Sequence, residues 1–263
     1  MKLTDKIVWI TGASSGIGAA LAREYASRGA RCVLSARGIE RLHAVKNSCD
    51  RPGDHVVLPL DTSEFDTHEA AVEAAEKAAG PIDILVLNAG IGQRGSALET
   101  DLGVARRIMD VNFTGTISLA QASAKRMVSR RSGQIVVISS VLGRVAIPGS
   151  SAYSASKFAL HGYFEALRGE IFPHNISVSL VCPGYINTEL TLHALQEDGS
   201  KFDVIDHNHT YGMDADVCAD KIVRAVMGQK PVFTVGGKET WAVPLARFFP
   251  GLTRRVGRRY IRK

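Results

Sequence analysis

Tyr153 and Lys157 combine residue types and a spacing that could perform acid–base chemistry. They lie four residues apart in the run Y-S-A-S-K, and on a helix this spacing places them on one face, roughly 5–6 Å apart at their Cβ atoms. A free tyrosine titrates near pH ~10, but a nearby cation favours the phenolate and can lower the pKa by about 1–3 units. The pair predicts a phenol adjusted for proton transfer; an incidental pair on a surface helix is the alternative.

Two serines upstream of this pair could present hydroxyl groups to a ligand. Ser139 and Ser140 follow the apolar run Ile135–Ile138, which predicts a buried strand. Open parallel sheets bind ligands outside the carboxyl ends of their strands. We therefore expect these hydroxyls at the same edge of the sheet as Tyr153 and Lys157.

A glycine-rich loop near the start of the chain predicts a dinucleotide site. The loop Thr11–Gly18 lies between a predicted strand, Ile7–Ile10, and a predicted helix, Ala19–Arg28. Glycines there allow the backbone to approach a pyrophosphate closely, and the helix start supplies N–H groups and a partial positive charge. The G-x-x-x-x-G-K-[ST] pattern of nucleotide triphosphatases is missing from the sequence. The expected cofactor contacts in this loop are Gly12, Ser14, Ser15, Gly16, Ile17 and Gly18.

Arg37 bears on which dinucleotide the site would prefer. It follows the predicted second strand, Arg31–Ser35, where NAD-binding folds usually place an acid that holds the ribose 2′-hydroxyl. A guanidinium suits a 2′-phosphate by charge and by bidentate geometry. We therefore prefer NADP(H), with NAD(H) as the alternative cofactor. A solvated arginine at the start of the next helix is the other interpretation.

Two polar residues follow predicted strands and are further candidates. Asp61 ends the strand Val56–Leu60, where it could hydrogen-bond the adenine amino group or cap a helix beginning near Glu64. Asn88 opens the tight turn Asn88-Ala89-Gly90 at the carboxyl end of the fourth strand. Both positions lie at the edge where the cofactor is expected.

Asn112 interrupts an otherwise helical pattern. Leu102–Arg130 predicts a long helix, and an asparagine beside the β-branched Val111 is unfavourable in its middle. This cost favours a functional role for Asn112. The alternative is an amide that hydrogen-bonds a neighbouring carbonyl group.

The apolar runs predict seven strands alternating with helices, the pattern of a parallel sheet covered on both faces. We expect one doubly wound α/β domain of the Rossmann type over residues 1–236, with strand order 3-2-1-4-5-6-7. Within it, the segment 185–213 lacks periodicity and is expected to form a substrate lid. The remaining strands are expected at Ile82–Leu87, Ile176–Val181 and Val232–Val235. One further helix is expected to end near Asp50, and three others are expected at Glu69–Ala79, Tyr153–Phe172 and Ala215–Met227.

The charge distribution limits the kinds of partner that the protein is expected to bind. The net charge is +6, but residues 247–263 carry seven cations and no acid, whereas the other 246 residues hold 25 basic and 26 acidic side chains. A nucleic-acid-binding face on the main body is therefore not expected. No apolar run approaches the roughly 18 residues of a membrane span, and no signal peptide is apparent. We expect a cytoplasmic protein.

No metal or disulfide is expected. The segment His207-Asn208-His209 lacks a third ligand at a recognisable spacing, which favours a solvated loop. The four cysteines are scattered and predict reduced thiols: Cys32, Cys49, Cys182 and Cys218.

With these motifs in view, the chain resembles the short-chain dehydrogenase/reductase family over nearly its full length. The resemblance rests on five motifs in order: Thr11–Gly18, Asn88-Ala89-Gly90, Ser140 thirteen residues before Tyr153, Tyr153–Lys157, and Pro183-Gly184 with Thr188. Three further runs, V-W-I-T-G-A-S-S-G-I-G, L-S-A-R and W-A-V-P-L-A-R-F-F-P, look like the dehydrogenase/reductase branch called member seven.

The resemblance implies a role for each matched residue. Tyr153 would be the general acid in reduction and the base in oxidation, and Lys157 would lower its pKa and hold the nicotinamide ribose. Ser140 would bind the substrate oxygen, and Asn112 would position a water that connects Lys157 to solvent. Tyr185 would contact substrate. The implied cofactor contacts also include Ala89, Gly90, Pro183, Gly184, Ile186 and Thr188. NADP-dependent members often carry Arg or Lys where this chain has Ser15, so the preference would rest mainly on Arg37.

The expected activity is an NADP(H)-dependent interconversion of an alcohol and a ketone or aldehyde, and the alternative is a non-catalytic dinucleotide-binding scaffold or redox sensor. The resemblance also implies a homodimer or homotetramer joined through the long helices near 102–130 and 152–172. Residues 237–263 form a basic amphipathic tail that would either contact a membrane surface or pack on the protein. Pro244 and Pro250 are expected to break any continuous helix in this tail.

Overall fold

The computed structural model describes residues 2–190, 192–204, 210–253 and 255. Its centre is one seven-stranded sheet in the order β3-β2-β1-β4-β5-β6-β7, and every neighbouring pair is parallel. This confirms the predicted fold class and strand order. The strands are β1 (Ile7–Thr11), β2 (Arg31–Ser35), β3 (Val56–Val57), β4 (Ile84–Leu87), β5 (Gly133–Ile138), β6 (Ile176–Pro183) and β7 (Val232–Val235).

The largest deviation from the predicted strands is at β3, the edge of the sheet. Only Val56 and Val57 form the ladder with β2, whereas the sequence predicted a strand to Leu60. The chain still runs beside its neighbour, because Leu58 and Leu60 each donate one backbone hydrogen bond, to the carbonyl groups of Leu34 and Ala36. An edge strand pairs on one side, so a single partner sets its length.

Helices connect the strands in the expected alternation. They are α1 (Gly16–Ser27), α2 (Ile39–Asn47), α3 (His68–Ala79), α4 (Leu102–Met109), α5 (Gly115–Arg130), α6 (Ser151–Ile171), α7 (Ala215–Met227) and α8 (Ala242–Phe248). Two boundaries correct the sequence interpretation: α2 ends at Asn47 rather than near Asp50, and α3 begins at His68 rather than near Glu64. A 3₁₀ turn, Phe65–Thr67, fills the interval before α3.

The two faces of the sheet are covered by different helices, because side chains alternate along each strand. Val8 and Ile10 of β1 pack with α1, α2 and α7 on one face. Trp9, between them, packs with α3, α5 and α6 on the other face. The sheet is therefore buried on both sides, which explains the nearly continuous apolar runs of its central strands.

The predicted interruption of the helix over 102–130 is present and has a defined geometry. Residues Asp110–Thr114 form a π-helical turn between α4 and α5. A π turn inserts an extra residue into a helix and is frequent at functional sites. Here it carries Asn112, whose side chain is fully buried.

The described part of the tail is interrupted next to Pro250, whereas the break predicted at Pro244 is wrong. Helix α8 contains Pro244 in its first turn and ends at Phe248, and helical structure resumes at Pro250. Among the described residues, no helix combines the length and the apolar character needed to cross a bilayer. All four cysteines are buried and unbridged.

Candidate active site

The glycine loop is held in place by the turn that follows β4. Asn88 donates from Nδ2 to the carbonyl oxygens of Thr11 and Gly12, at 3.0 and 3.1 Å. In return, the buried Thr11 hydroxyl accepts hydrogen bonds from the backbone N–H groups of Asn88 and Ala89, at 3.0 and 3.2 Å. Asn88 and Ala89 thus fix the loop from below.

The loop has no room for larger residues. A Cβ added to Gly18 would lie 2.1 Å from the Gly12 carbonyl oxygen, and one at Gly12 would lie 2.9 Å from the Cα atom of Ala89. Gly12 and Gly16 also adopt the left-handed φ values of 63° and 52°, which favour glycine. Ser15 caps helix α1 by position and makes no side-chain capping bond. The backbone N–H groups at the start of α1 therefore suit a pyrophosphate, and the residues present fit a dinucleotide.

Arg37 and Asp61 follow neighbouring strands of the sheet, close enough for their charges to interact. Arg37 is exposed after β2. Burial raises the pKa of the Asp61 carboxyl, but two hydrogen bonds from Ser63 and the charges of Arg37 and Arg107 outweigh this and hold the pKa below its ordinary range. The predicted helix cap at Asp61 is wrong: its Oδ1 atom accepts from the Ser63 backbone and hydroxyl, whereas α3 begins only at His68.

Tyr153, Lys157 and Ser140 come together where β5 meets α6. Lys157 is 4% exposed, and its Nζ atom donates to the carbonyl oxygen of Ile138 at 2.9 Å. The same atom lies 5.8 Å from the centre of the Tyr153 ring. Ser140 hydrogen-bonds the phenol, and its Oγ atom also accepts from the Leu142 backbone at 3.0 Å. The three predicted catalytic side chains therefore share one small site.

Of the two candidate serines, only Ser140 faces the phenol. The Ser139 hydroxyl donates to the backbone carbonyl of Lys157 at 3.2 Å and lies 3.2 Å from Nε2 of His161. His161 also contacts the Cys182 thiol at 3.6 Å. Ser139 therefore contacts α6 through the Lys157 backbone and His161, and its hydroxyl is not directed at the Tyr153 phenol.

The electrostatics of the pair differ from the sequence interpretation in two respects: the pKa of the phenol is raised where the sequence predicted a lowered one, and the opposing cation is a different residue. Burial raises the pKa of the Tyr153 phenol, and the Ser140 hydrogen bond and the Arg94 charge act against this without cancelling it. The counteracting cation is thus Arg94, where the sequence had assigned that effect to Lys157. Burial also lowers the pKa of Lys157 to about 8, with the Cys182 thiol acting in the opposite direction.

Asn112 positions the loop beneath the site. Its Oδ1 atom accepts from the Ile91 backbone at 2.8 Å, and its Nδ2 atom donates to the Ile91 carbonyl and to the Ser156 hydroxyl, at 2.9 and 3.0 Å. A Cβ at Gly90 would lie 3.2 Å from Asn112 Oδ1 and 3.5 Å from Lys157 Nζ. Gly90 thus allows Asn112 and Lys157 to approach the same backbone segment.

Gln93 is a functional residue that the sequence interpretation missed. It is 2% exposed, and its Oε1 atom accepts from the backbone N–H groups of Ala152 and Tyr153, at 2.7 and 3.2 Å. Its Nε2 atom donates to the Thr100 hydroxyl at 3.0 Å. The amide therefore caps the start of α6, where Ser150 makes no side-chain capping bond. Gln93 and Tyr153 are far apart in sequence, so no local pattern reveals the contact.

Glu239 is a second missed residue and comes from the predicted tail. Its Oε1 atom accepts from the backbone N–H groups of Tyr185 and Gly237, both at 2.9 Å. A Cβ at Gly184 would lie 2.0 Å from the same oxygen. The loop that follows Pro183, the last residue of β6, is thus held by a carboxylate from beyond the seventh strand.

The predicted lid segment lies against the site. Thr188 packs over the glycine loop, because a Cβ at Gly16 would lie 3.2 Å from its Cβ and Cγ2 atoms. Farther along, Leu195 pairs with Gln93, and Glu197 accepts a hydrogen bond from the Ser96 backbone at 2.8 Å. Ile186 is buried in the core beside α1 and α7, so its backbone is the part that can face a cofactor.

The metal-like segment His207-Asn208-His209 lies outside the described residues. In the described part of the chain, no group of three or more His, Cys, Asp or Glu side chains could hold a metal ion.

A profile of the family described as "short chain dehydrogenase" matches residues 6–199 of the chain. This range contains the glycine loop, Ser140, and the Tyr153/Lys157 pair. The chain belongs to the short-chain dehydrogenase/reductase family. The enzyme is therefore an oxidoreductase, and its cofactor is a nicotinamide dinucleotide.

Individual relatives agree with this family. Dehydrogenase/reductase SDR family member 7B of Xenopus tropicalis is 39% identical to the enzyme over 243 residues, which are 89% of this chain and 78% of the relative. Dehydrogenase/reductase SDR family member 7 of Homo sapiens is 41% identical over 206 residues, 76% of this chain and 61% of the relative. These matches confirm the resemblance to the member-seven branch.

A solved structure agrees in fold over nearly the whole chain. A short chain dehydrogenase from Burkholderia cenocepacia J2315, crystallised in complex with NADP, superposes with a TM-score of 0.80 and is 27% identical. The superposition covers 97% of this chain and 98% of that chain. The shared fold therefore extends over nearly the whole of both chains.

Proposed function

We propose that the enzyme is an NADP(H)-dependent reductase or dehydrogenase that interconverts a ketone or aldehyde and the corresponding alcohol. The observation that carries this proposal is the shared position of Tyr153, Ser140 and Lys157 at the carboxyl end of β5. A phenol that is hydrogen-bonded to a serine and lies beside a buried ammonium is held in a fixed orientation and can act as an acid–base group. A scaffold or redox sensor has no use for such a group.

The bound nicotinamide supplies or accepts the hydride, and the residues of this chain handle the proton. In reduction, Tyr153 donates its phenolic proton to the carbonyl oxygen as the alcohol forms; in oxidation, the phenolate takes that proton back. The Ser140 oxygen accepts from the Leu142 backbone, so its hydroxyl proton is directed to the phenol or to the substrate oxygen. The Arg94 charge favours the phenolate. Lys157 holds the nicotinamide ribose.

Further roles are proposed for the residues around this centre. Gly12, Gly16 and Gly18 admit the pyrophosphate, and Asn88, Ala89 and Gly90 support the loop. Asn112 acts as a positioning residue for the segment at Ile91. Because it lies near Lys157, it would also position a water molecule. The remaining proposed contacts are Ser14, Ser15, Ile17, Asp61, Pro183, Gly184, Ile186 and Thr188 with the cofactor and Tyr185 with the substrate.

Arg37 supports the preference for NADP(H). It is exposed at the end of β2, close enough to Asp61 for its charge to lower the pKa of that carboxyl. A 2′-phosphate at this edge would receive charge-assisted hydrogen bonds from its guanidinium.

Steady-state kinetics with NADPH and NADH tests this preference. We expect Arg37→Ala to raise the KM for NADPH by about tenfold or more, the loss of a hydrogen bond to a charged group, and to leave the KM for NADH unchanged. Lys46→Ala, which removes one cation from the last turn of α2, is the matched control. Equal losses with both cofactors would contradict the proposed 2′-phosphate contact.

A panel of ketones, aldehydes, steroids and retinoids tests the alternative function. Tight binding of NADPH without its oxidation across this panel would favour a non-catalytic dinucleotide-binding scaffold.

We also propose that a second copy of the chain packs on α6. The exposed side of this helix consists of small residues around a large one: Ala155, Phe158, Gly162, Ala166 and Gly169. Phe158 is 43% exposed, and a Cβ at Gly162 or Gly169 would meet no atom within 4 Å. Such a face allows close approach of another helix. Multi-angle light scattering should show a dimer or tetramer, and a monomer at micromolar concentration would contradict this proposal.

The domain arrangement is proposed as residues 1–236 for the catalytic unit, with 185–213 as its lid. The described lid residues support closure, because Leu195 pairs with Gln93 directly beside the start of α6. Hydrogen exchange of the lid should slow when NADPH and a substrate analogue bind, and an unchanged rate would contradict the lid function. Glu239 extends the functional unit a few residues into the segment 237–263.

A further inference from the structure

Five large apolar side chains between residues 241 and 252 face solvent. They are Trp241, Leu245, Phe248, Phe249 and Leu252, with exposed fractions of 70%, 40%, 69%, 61% and 52%. Trp241, Leu245 and Phe248 are spaced by four and three residues, which places them on one side of the helical segment 241–248. Phe249 and Leu252 follow after the break in the helix. We call these five residues the tail stripe.

The segment rests on the body of the protein through its small residues. Ala242, Val243 and Ala246 are partly buried, whereas no residue of α8 is fully buried. The larger apolar side chains therefore point away from the core, the reverse of the usual arrangement in a surface helix. Large exposed apolar patches mark interaction sites.

The charge around the tail stripe identifies the kind of surface that it fits. Arg247 and Arg255 are exposed within or next to the stripe. The sequence from residue 247 to residue 263 contains seven cations and no acid. Aromatic and aliphatic side chains followed by a cation-rich segment without acids suit an anionic lipid surface, where the apolar groups enter the interface and the cations remain at the headgroups.

The same charges disfavour a second copy of the chain on this face. Two tail stripes packed against each other would bring two cationic segments into contact, without acids within either segment to neutralise them. Like charges at an interface repel each other. The exposed residues of α6 include no cation, so a second copy on that helix does not meet this repulsion.

We propose that the tail stripe docks the protein on the surface of an anionic bilayer. Trp241 lies two residues after Glu239, which holds the loop that follows β6. The docked surface is therefore joined by a short stretch of chain to the substrate side of the fold. The protein lies on the membrane through this surface without crossing it.

Vesicle sedimentation with the full chain tests this docking. We expect the protein to co-sediment with vesicles that contain phosphatidylglycerol and phosphatidylcholine in equimolar amounts. It should bind vesicles of pure phosphatidylcholine at least about tenfold more weakly. Raising the salt from about 50 mM to about 500 mM should release the protein by screening. The double variant Phe248→Ser and Phe249→Ser should bind the mixed vesicles at least about tenfold more weakly.

The control variant is Phe172→Ser, which removes an aromatic side chain that is 76% exposed at the far end of α6. It should bind like the unchanged protein. Because Phe248 and Phe249 are exposed, their replacement should preserve the circular dichroism spectrum and NADPH binding.

Fluorescence gives an independent measurement, because the chain has only two tryptophans. Trp9 is fully buried, whereas Trp241 is 70% exposed. Docking should shift the emission to shorter wavelength and make it sensitive to brominated lipids, and Trp241→Ser should abolish both changes.

Three results would overturn the proposal. They are no binding to the mixed vesicles, equal binding to mixed and neutral vesicles, and a loss of binding in Phe172→Ser equal to that in the double variant. A change of oligomeric state in the double variant, with vesicle binding retained, would assign the stripe to a second copy of the chain and overturn it as well.

Discussion

The active site has two sides that are built differently. The sheet side consists of the glycine loop, the turn at Asn88, Ser140, and the Tyr153/Lys157 pair, and its polar groups bond to the strands and helices next to them. The loop side consists of residues 91–96, 184–204 and 236–239. It is held by single amide or carboxylate side chains that accept from backbone N–H groups distant in sequence.

This difference separates chemistry from positioning. Lys157 on the sheet side is a buried ammonium that donates to the carbonyl oxygen of Ile138, and its burial costs stability. Gln93 on the loop side satisfies two N–H groups of a partly buried helix start and adds stability. Substitutions on the two sides should therefore change stability in opposite directions while both reduce turnover.

The largest expected effect is that of Tyr153→Phe. Removing the phenolic oxygen should lower kcat by about 10²–10⁴-fold, the range of general acid–base catalysis, because water has to replace the proton donor. The dissociation constant for NADPH, measured by fluorescence titration, should stay within about threefold of the original, since the nicotinamide contacts of Lys157 remain. Retained turnover would show that another group transfers the proton.

Lys157→Met should separate stability from activity. Burial lowers the pKa of Lys157 from 10.5 to about 8, so the ammonium costs up to about 3 kcal/mol of folding free energy. This cost is fully present below pH 8, where both the folded and unfolded states are protonated, and it disappears as the pH rises through 10.5. The variant should therefore be more stable than the original protein at pH 7 and should lose this advantage between pH 8 and pH 10.5.

Urea denaturation at a series of pH values measures this difference, and activity assays should show an inactive variant with weakened NADPH binding. Lys125→Met, which removes an exposed lysine paired with Glu69, is the control and should show no such pH dependence. If Lys157→Met were less stable than the unchanged protein at pH 7, substitutions on the two sides would not change stability in opposite directions.

Gln93→Leu is expected to have the smallest effect on turnover and the opposite effect on stability. The N–H groups of Ala152 and Tyr153 lose their acceptor, so the free energy of unfolding should fall by about 1–3 kcal/mol. Because the start of α6 becomes less fixed, kcat should fall about tenfold with little change in the KM for NADPH. Gln93→Glu keeps an oxygen acceptor at the helix start and should recover most of the stability and kcat.

The pH profile of kcat distinguishes positioning from a merely structural role. If Gln93 positions the phenol, the limb assigned to Tyr153 should shift in Gln93→Leu and return in Gln93→Glu. A loss of stability with an unchanged profile and unchanged kcat would restrict Gln93 to support of the fold.

Much of this architecture could be predicted from local patterns. The strands Arg31–Ser35 and Val232–Val235 and the helix Ala215–Met227 agree with the structure to the residue. A strand buried on both faces, such as Arg31–Ser35, leaves a continuous apolar run, and an amphipathic helix with a capping aspartate leaves a periodic pattern and a start signal. At β3, the length depended on one neighbouring strand, and at Asp61 a competing local turn replaced the predicted helix cap.

The sequence by itself determined the family, the order of the strands, and the set of side chains that could do chemistry, because spacing along one strand or helix fixes those relations. Only the tertiary structure decided which serine faces the phenol, that Arg94 rather than Lys157 counters the raised pKa of Tyr153, and that Gln93 and Glu239 hold the surrounding backbone. Burial and hydrogen bonds between distant segments set those properties, and neither has a period along the chain.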